Sequence, residues 1–305
     1  MTSNSMTAKS MTAKWRLGFI GLGVMGEPIC RNLARKSGLT MQAYDIDGAA
    51  LVRLAADAVT GAGSITELMA CCDIVFLSLP SGEVVRQISL QAGGLLEAAR
   101  SGQVIVDLST SAVDTTRELA QRFAAKGLVF VDAPVARTRA AAEAGTLSVM
   151  VGAEPAVFDQ LSSLLATFAS DITLCGPVGC GQVVKILNNM VLFETVVAIC
   201  EAKAIGERAG VDATLLFDTL SKGSADSFAL RNHGIKAVLP GEFPQRAFSV
   251  RYARKDLAYA LKLAAATGVD ARAARTVDDW FGQAIDAGLG DDYHPVISRL
   301  IGAAR

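Results

Sequence analysis

With 305 residues, 51% of them apolar and 19% charged, and a formal net charge of -1, the chain holds enough apolar material for one or two packed domains and is not composed like a disordered one. The near-neutral charge and the lack of any basic run exclude the electrostatic footprint of a nucleic-acid binder, so a small-molecule partner is expected. Cysteines at positions 30, 71, 72, 175, 180 and 200 form no CxxC pair, and only His233 and His294 are present, which speaks against a metal site. We read the thiols as reduced and the protein as cytoplasmic, a Cys175 to Cys180 disulfide being the alternative.

Residues 1–14 repeat SMTAK, at Ser5 to Lys9 and Ser10 to Lys14, and lack the apolar core of a signal peptide. A disordered tail is expected there. From Trp15 to Leu174 short β-rich runs follow one another: WRLGFI, LTMQAY, DIVFLSL, QVIVDL, LVFVDAPV, LSVMVG and DITLC. Between them Glu27 to Lys36, Gly82 to Ile88, Asp114 to Lys126 and Pro155 to Phe168 carry apolar residues at helical spacing. This alternation predicts an α/β Rossmann-type doubly wound parallel sheet over residues 15–178. Residues 179–305 predict an all-α C-terminal domain, with helices at Gln182 to Ala209, Asp212 to Ser221, Arg251 to Ala266 and Ala271 to Ala287. The most apolar stretch, Met190 to Cys200, is broken by Glu194 and reads as too short to cross a bilayer.

The first β-rich run leads into GLGVMG, Gly21 to Gly26. In G-x-G-x-x-G the first glycine allows a tight strand-to-helix turn, the second lets backbone approach a pyrophosphate, and the third allows close helix packing. The helix N-terminus then offers N–H groups to phosphates. Gly21, Leu22, Gly23, Val24, Met25 and Gly26 are therefore the candidate cofactor loop. Asp45 closes the second run, where a carboxylate accepts hydrogen bonds from an adenosine ribose and repels a 2′-phosphate; no arginine follows it. NAD is expected over NADP. Asp45 as a merely solvated residue is the alternative.

Open α/β sheets bind ligands beyond the carboxyl ends of their strands, which points to the loops at 79–82, 107–112 and 132–152. In GPVGCGQVVKILNNM, Lys185, Asn188 and Asn189 stand at i, i+3 and i+4 and share one helical face. A lysine and two amides are costly to bury without partners, so a polar ligand in a cleft between the domains is expected. An exposed face, or a lysine paired with a carboxylate, is the alternative.

GLGVMGEPICRNL, LP at 79, DLST at 107, DAPV…GTLSVMVG, GxGxxxKxxNN at 179–189 and KDLAYAL at 255–261 together resemble the β-hydroxyacid dehydrogenase family, which includes 3-hydroxyisobutyrate dehydrogenases and tartronate semialdehyde reductases. The resemblance implies NAD(P)-dependent interconversion of a short 3-hydroxy acid and its semialdehyde. It implies Lys185 as the general acid and base, work that typically contributes about 10²- to 10⁴-fold. Asn189 and Asn188 match the family's amides, which orient lysine and substrate. Leu79, Pro80, Thr110 and Lys255 match cofactor contacts, and Ser109 a substrate contact. For Lys255 an ion pair with Asp256 stays open. Family members commonly assemble as dimers or tetramers.

Most of the family reads DAPVSGG where this chain has Ala136, Arg137 and Thr138. An Arg-Thr pair resembles the sulfolactaldehyde reductase branch, in which it reads a sulfonate, and guanidinium donors suit such an oxyanion. Arg137 facing solvent or cofactor phosphates is the alternative. Arg251, four residues before Lys255, either adds to the anion site or pairs with Asp256 or Glu242, and Arg139 is a weaker candidate of the same kind. Rival functions are a carboxylate enzyme of the 3-hydroxyisobutyrate, tartronate semialdehyde or succinic semialdehyde type and, outside catalysis, a nucleotide-sensing protein, which would need neither Lys185 nor the amides.

Overall fold

The computed structural model describes residues 15–245 and 247–303; the N-terminal segment read above as a tail lies outside them. The chain divides into two compact units, the first ending at Gln182 and the second beginning at Val183.

In the first unit, strands β1 (Arg16–Ile20), β2 (Thr40–Tyr44), β3 (Val59–Gly61), β4 (Ile74–Leu77), β5 (Val104–Asp107) and β6 (Val129–Asp132) pair in parallel in the order 3-2-1-4-5-6. That order is the doubly wound dinucleotide-binding arrangement. Strands buried on both faces send alternate residues to opposite sides, and two separate cores result. Leu17, Phe19, Ile74, Phe76, Val106 and Val131 face one; Ile20, Val75, Leu77, Ile105 and Phe130 face the other. Helices α1 (Gly26–Ser37) and α8 (Pro155–Leu165) cover the first core with Ile29, Leu33, Leu161 and Leu165. Helices α3 (Ile65–Cys71), α4 (Gly82–Leu90) and α6 (Val113–Ala124) cover the second with Leu68, Val85, Leu119 and Phe123. Phe76 is fully buried and touches Phe19 and Phe168, so truncation to alanine would cost about 3–5 kcal/mol.

The sheet departs from the all-parallel expectation beyond β6. Pro134, which has no N–H to give a ladder, splits the run LVFVDAPV into β6 and the two-residue β7 (Val135–Ala136). Strand β8 (Leu147–Gly152) then runs antiparallel to both, since the connection to it holds only the short helix α7 (Arg139–Ala144) and a parallel return needs a longer crossover. Strand β9 (Ala169–Gly176) pairs parallel with β8. Helices α2 (Gly48–Leu54) and α5 (Leu95–Ala98) complete the unit.

Helix α9 (Cys180–Arg208) begins at the end of the first unit and continues into the second. At 29 residues it is long and apolar enough, by length and composition, to cross a membrane, because Glu194 does not end the apolar pattern as the sequence reading supposed. A core helix passes the same test, and Phe193, Val196, Val197 and Cys200 of α9 are buried in the second unit's core. Around it lie α10 (Ala213–Leu220), a π-helical segment at Leu230–Val238, α11 (Val250–Thr267), α12 (Arg272–Asp286) and the short α13 (Ser298–Ile301). His233 and His294 are both buried there, His294 against Phe193, Phe248 and Phe281, and burial drives both imidazoles towards the neutral form.

Candidate functional site

The three glycines of the β1–α1 turn are required for three different reasons. Gly21 has φ +94°, and a Cβ there would stand 2.3 Å from the Ser78 carbonyl oxygen. A Cβ on Gly26 would stand 1.9 Å from the Gly21 carbonyl oxygen, so only glycine lets α1 start against the turn. Around Gly23 there is nothing within 4 Å, the open approach that a pyrophosphate needs. Met25 caps α1 without a side-chain hydrogen bond; in the first turn the Glu27 N–H donates to the Gly23 carbonyl at 3.1 Å and Pro28 has no N–H to offer. The loop fits a dinucleotide.

Asp45 is built into this loop. One carboxylate oxygen accepts from the Leu22 N–H and the other, at 2.8 Å, from the Asp47 N–H. A carboxylate has about four acceptor positions, so these bonds orient it and leave capacity for a hydroxyl. Ile46 beside it is 95% exposed, and no cation stands at the next positions.

At the end of β4, the Leu79 N–H donates to Ser109 Oγ at 2.9 Å, joining the 79–80 and 109–110 loops. Ser109 and Thr110 are buried and Pro80 is exposed. Asp107, at the end of β5, accepts from the Ser109 N–H at 2.9 Å and from Ser111 Oγ at 3.1 Å. Its burial is complete, and desolvation pushes the carboxyl up to about 6.

Arg137 does not present a free guanidinium. It lies on the surface with φ +87°, donates to the Thr146 carbonyl at 2.6 Å and Ser170 Oγ at 2.8 Å, and pairs with Asp171 at 2.6 Å. Thr138 Oγ1 caps α7 by accepting from the Ala141 N–H, and Ala136 is buried on β7. Both polar side chains of the expected anion clamp thus serve the local fold. The left-handed backbone at 137 explains a glycine there: glycine adopts it without a Cβ penalty. Arg139 pairs with Glu143.

The second unit brings five polar residues of α9 and α11 together: Lys185, Asn188, Asn189, Lys255 and Asp256. Lys185 Nζ donates to Asn189 Oδ1 at 3.1 Å, as does Asn188 Nδ2 at 3.1 Å. Asn189 Nδ2 donates to Asp256 Oδ2 at 2.7 Å. An ammonium donor on one side and a carboxylate acceptor on the other dictate which end of the amide faces which partner. Asp256 Oδ1 lies 3.0 Å from Lys255 Nζ, so the ion pair left open by the sequence exists, but its carboxylate also holds Asn189. Lys255 further stacks over Tyr252 at 4.2 Å.

Burial, and then the nearby Lys255, push the Lys185 amine down to about 8, with Asp256 opposing. Both protonation states are therefore accessible near neutral pH, which is what a group that alternately accepts and donates a proton requires. Asp256 was missed by sequence reasoning as a member of this array; its only signal was adjacency to Lys255. Arg251 pairs with Asp291 at 3.4 Å, not with Asp256 or Glu242. It lines a cleft of about 500 Å³ with Arg254, Lys255 and Asp278; Lys185 and the two asparagines are not part of that lining. All six cysteines are free.

Comparison with known proteins places these features in context. The family described as the NAD binding domain of 6-phosphogluconate dehydrogenase matches residues 16–176. The one described as the NAD-binding region of NADP-dependent 3-hydroxyisobutyrate dehydrogenase matches residues 179–301. The 2-(hydroxymethyl)glutarate dehydrogenase of Eubacterium barkeri is 36% identical over 81% of this chain and 81% of its own length. The 2-hydroxy-3-oxopropionate reductase of Escherichia coli is 32% identical over 93% of this chain and 97% of its own. The solved structure of Mycobacterium tuberculosis 3-hydroxyisobutyrate dehydrogenase with L-serine superposes with a TM-score of 0.87 at 30% identity, covering 95% of this chain and 99% of that one.

Proposed function

The chain belongs to the β-hydroxyacid dehydrogenase family, and from that premise we propose that it interconverts a short 3-hydroxy carboxylic acid and its semialdehyde, with NAD as hydride partner and Lys185 as general acid and base. The observation that carries the reading is the buried Lys185–Asn189–Asp256 array, whose lysine is held near pH 8.

The nicotinamide ring, when bound, supplies the hydride acceptor or donor. Lys185 as a neutral amine takes the hydroxyl proton of the alcohol, and as ammonium returns a proton to the aldehyde oxygen. Asn189 holds Nζ through its carbonyl oxygen and is itself held by Asp256, which leaves the remaining Nζ positions for the substrate oxygen. Asn188 and Ser109 are the proposed substrate contacts. The turn from Gly21 to Gly26, with Leu22, Val24 and Met25, together with Leu79, Pro80, Thr110 and Lys255, is the proposed cofactor set. Asp45 and the uncharged Ile46 support NAD over NADP, since neither Ile46 nor Asp47, the residues that follow, offers a cation to a 2′-phosphate.

The anionic group is read as carboxylate. A sulfonate reading rested on Arg137 and Thr138, and the pairing of Arg137 with Asp171 removes its main support. Exposed Val184, Leu187 and Val191 form a stripe along α9, which supports a homodimer or homotetramer, and a cytoplasmic location fits six free thiols.

The test is NADH oxidation by the purified protein against short aldehydes that differ only in carrying carboxylate or sulfonate, repeated with NADPH. Preference for carboxylate and NADH supports the reading; preference for sulfonate would restore Arg137 as an anion contact, and inactivity across the panel would remove the substrate class.

A further inference from the structure

Gln182 stands one turn before Lys185 on α9 and has no part in the chemistry described so far. It is fully buried, and both ends of its amide bind one loop: Nε2 donates to the Ser109 carbonyl at 2.8 Å and Oε1 accepts from the Ser111 N–H at 3.0 Å. Its backbone N–H donates to Asp132 Oδ2 at 2.8 Å, and the Gly179 N–H donates to Asp132 Oδ1 at 2.7 Å. One carboxylate thus satisfies two N–H groups at the start of α9, where a helix has no intrahelical partners to offer.

The glycines around this carboxylate make room for it. A Cβ on Gly181 would stand 2.4 Å from the Met150 carbonyl oxygen and 2.8 Å from Asp132 Oδ2, and one on Gly152 would stand 2.3 Å from Asp132 Oδ1. Gly179 has φ +94°. The two glycines of GxGxxxK are therefore explained by how α9 is seated, without any ligand. Asp132 is the register partner of Asp107 across β5 and β6. Two neighbouring strands end on carboxylates, of which one holds the Ser109–Ser111 loop and the other the start of α9, and Gln182 links the two.

We propose that Gln182 is a positioning residue for the reaction: seated on Asp132, it pins the first turn of α9 to the Ser109–Ser111 loop and, along the unbroken helix, fixes the turn that carries Lys185. The inference rests on the acid/base role given to Lys185. An amide is suited to the task because it donates and accepts at once, and no apolar residue of similar volume does either. Small displacements of a catalytic group are expensive, about 10²-fold for a misplacement near 1 Å.

The experiment compares Gln182→Met, Gln182→Glu and Lys185→Ala in the full chain, with 3-hydroxyisobutyrate and 2-(hydroxymethyl)glutarate as probe substrates. Methionine fills the volume and makes neither hydrogen bond. Glutamate keeps the acceptor for Ser111 but donates to the Ser109 carbonyl only when protonated. For Gln182→Met we expect kcat to fall about 10- to 100-fold, NADH affinity by fluorescence to stay close to that of the parent, and amide hydrogen exchange to quicken in both the 107–112 and 179–186 segments. For Gln182→Glu, kcat relative to the parent should recover as pH falls.

Parent-like kcat and exchange in Gln182→Met would overturn the proposal, as would loss of NADH affinity in step with kcat, which marks a general structural defect. Lys185→Ala separates this from the underlying reading. If that variant turns over normally, the lysine's role is lost while the exchange data still decide whether Gln182 joins the two segments. If it is inactive and Gln182→Met is not, only the positioning role falls.

Discussion

Asn189 and Asp256 are joined by a 2.7 Å hydrogen bond between helices α9 and α11, so the amide that receives Lys185 Nζ is itself fixed by a buried carboxylate. The pair sets both where the lysine points and how basic it is, since Asp256 is the influence that holds the Lys185 amine up against burial and Lys255.

Replacing Asp256 with Asn keeps the shape and removes the charge. Lys185 then loses the anion that favours its charged form while Lys255 remains, so its pKa falls further below about 8. The rising limb of the kcat/KM profile for alcohol oxidation, where the neutral amine is the active form, should move to lower pH, and kcat should drop because the single amide oxygen cannot serve both Asn189 and Lys255 as the carboxylate does. An unmoved limb in the pH profile would show that Asp256 does not tune the lysine.

Lys185 itself should destabilise the fold. Its folded pKa of about 8 lies below the ordinary value of 10.5, so between those values the unfolded chain binds the extra proton and stability rises with pH; the penalty is full below about 8 and vanishes above 10.5. Lys185→Met should therefore raise stability by ~1–3 kcal/mol near neutral pH, with the gain shrinking in alkali, while abolishing turnover. Chemical denaturation of parent and variant at neutral and alkaline pH measures this; a gain independent of pH would contradict the shift.

These sites differ in how far the sequence announced them. The parallel half of the sheet was legible because Leu17, Phe19, Val75 and Phe76 sit in short apolar runs flanked by helical patterns, and the glycines at 21, 23 and 26 follow the first of them. Helices α2 and α3 were not, since each is only seven residues long and is started by a single cap, Asp47 or Ser64. The reversal of β8 was invisible because an apolar run carries no direction. Lys185, Asn188 and Asn189 could be grouped from helical spacing. Asp256 and Gln182 could not, because their partners lie 67 and 73 residues away.

Arg137 combines two opposing effects. A left-handed backbone at a residue with a Cβ costs about 1–3 kcal/mol, while its exposed pairing with Asp171 returns about 0–1 kcal/mol. Arg137→Gly should thus leave stability unchanged or slightly higher, and the ratio of carboxylate to sulfonate turnover unaltered. Thermal unfolding and competition between the two aldehydes check both points. A loss of sulfonate turnover alone would mean that the guanidinium leaves Asp171 to meet the substrate.

Cofactor choice should be governed by Asp45 and Ile46. Ile46 is 95% exposed, so an arginine there disturbs no packing and places a guanidinium where a 2′-phosphate would lie. Asp45→Asn removes the repelling charge but also gives up one of the two carboxylate oxygens that accept from Leu22 and Asp47, so it loosens the glycine loop. The double variant Asp45→Asn with Ile46→Arg should gain NADPH turnover and lose part of its NADH turnover, whereas Ile46→Arg alone should gain less, because the carboxylate still faces the phosphate. Steady-state kcat/KM for both cofactors in all three variants tests this ordering. If NADPH use does not rise in the double variant, the adenosine ribose does not lie at Asp45.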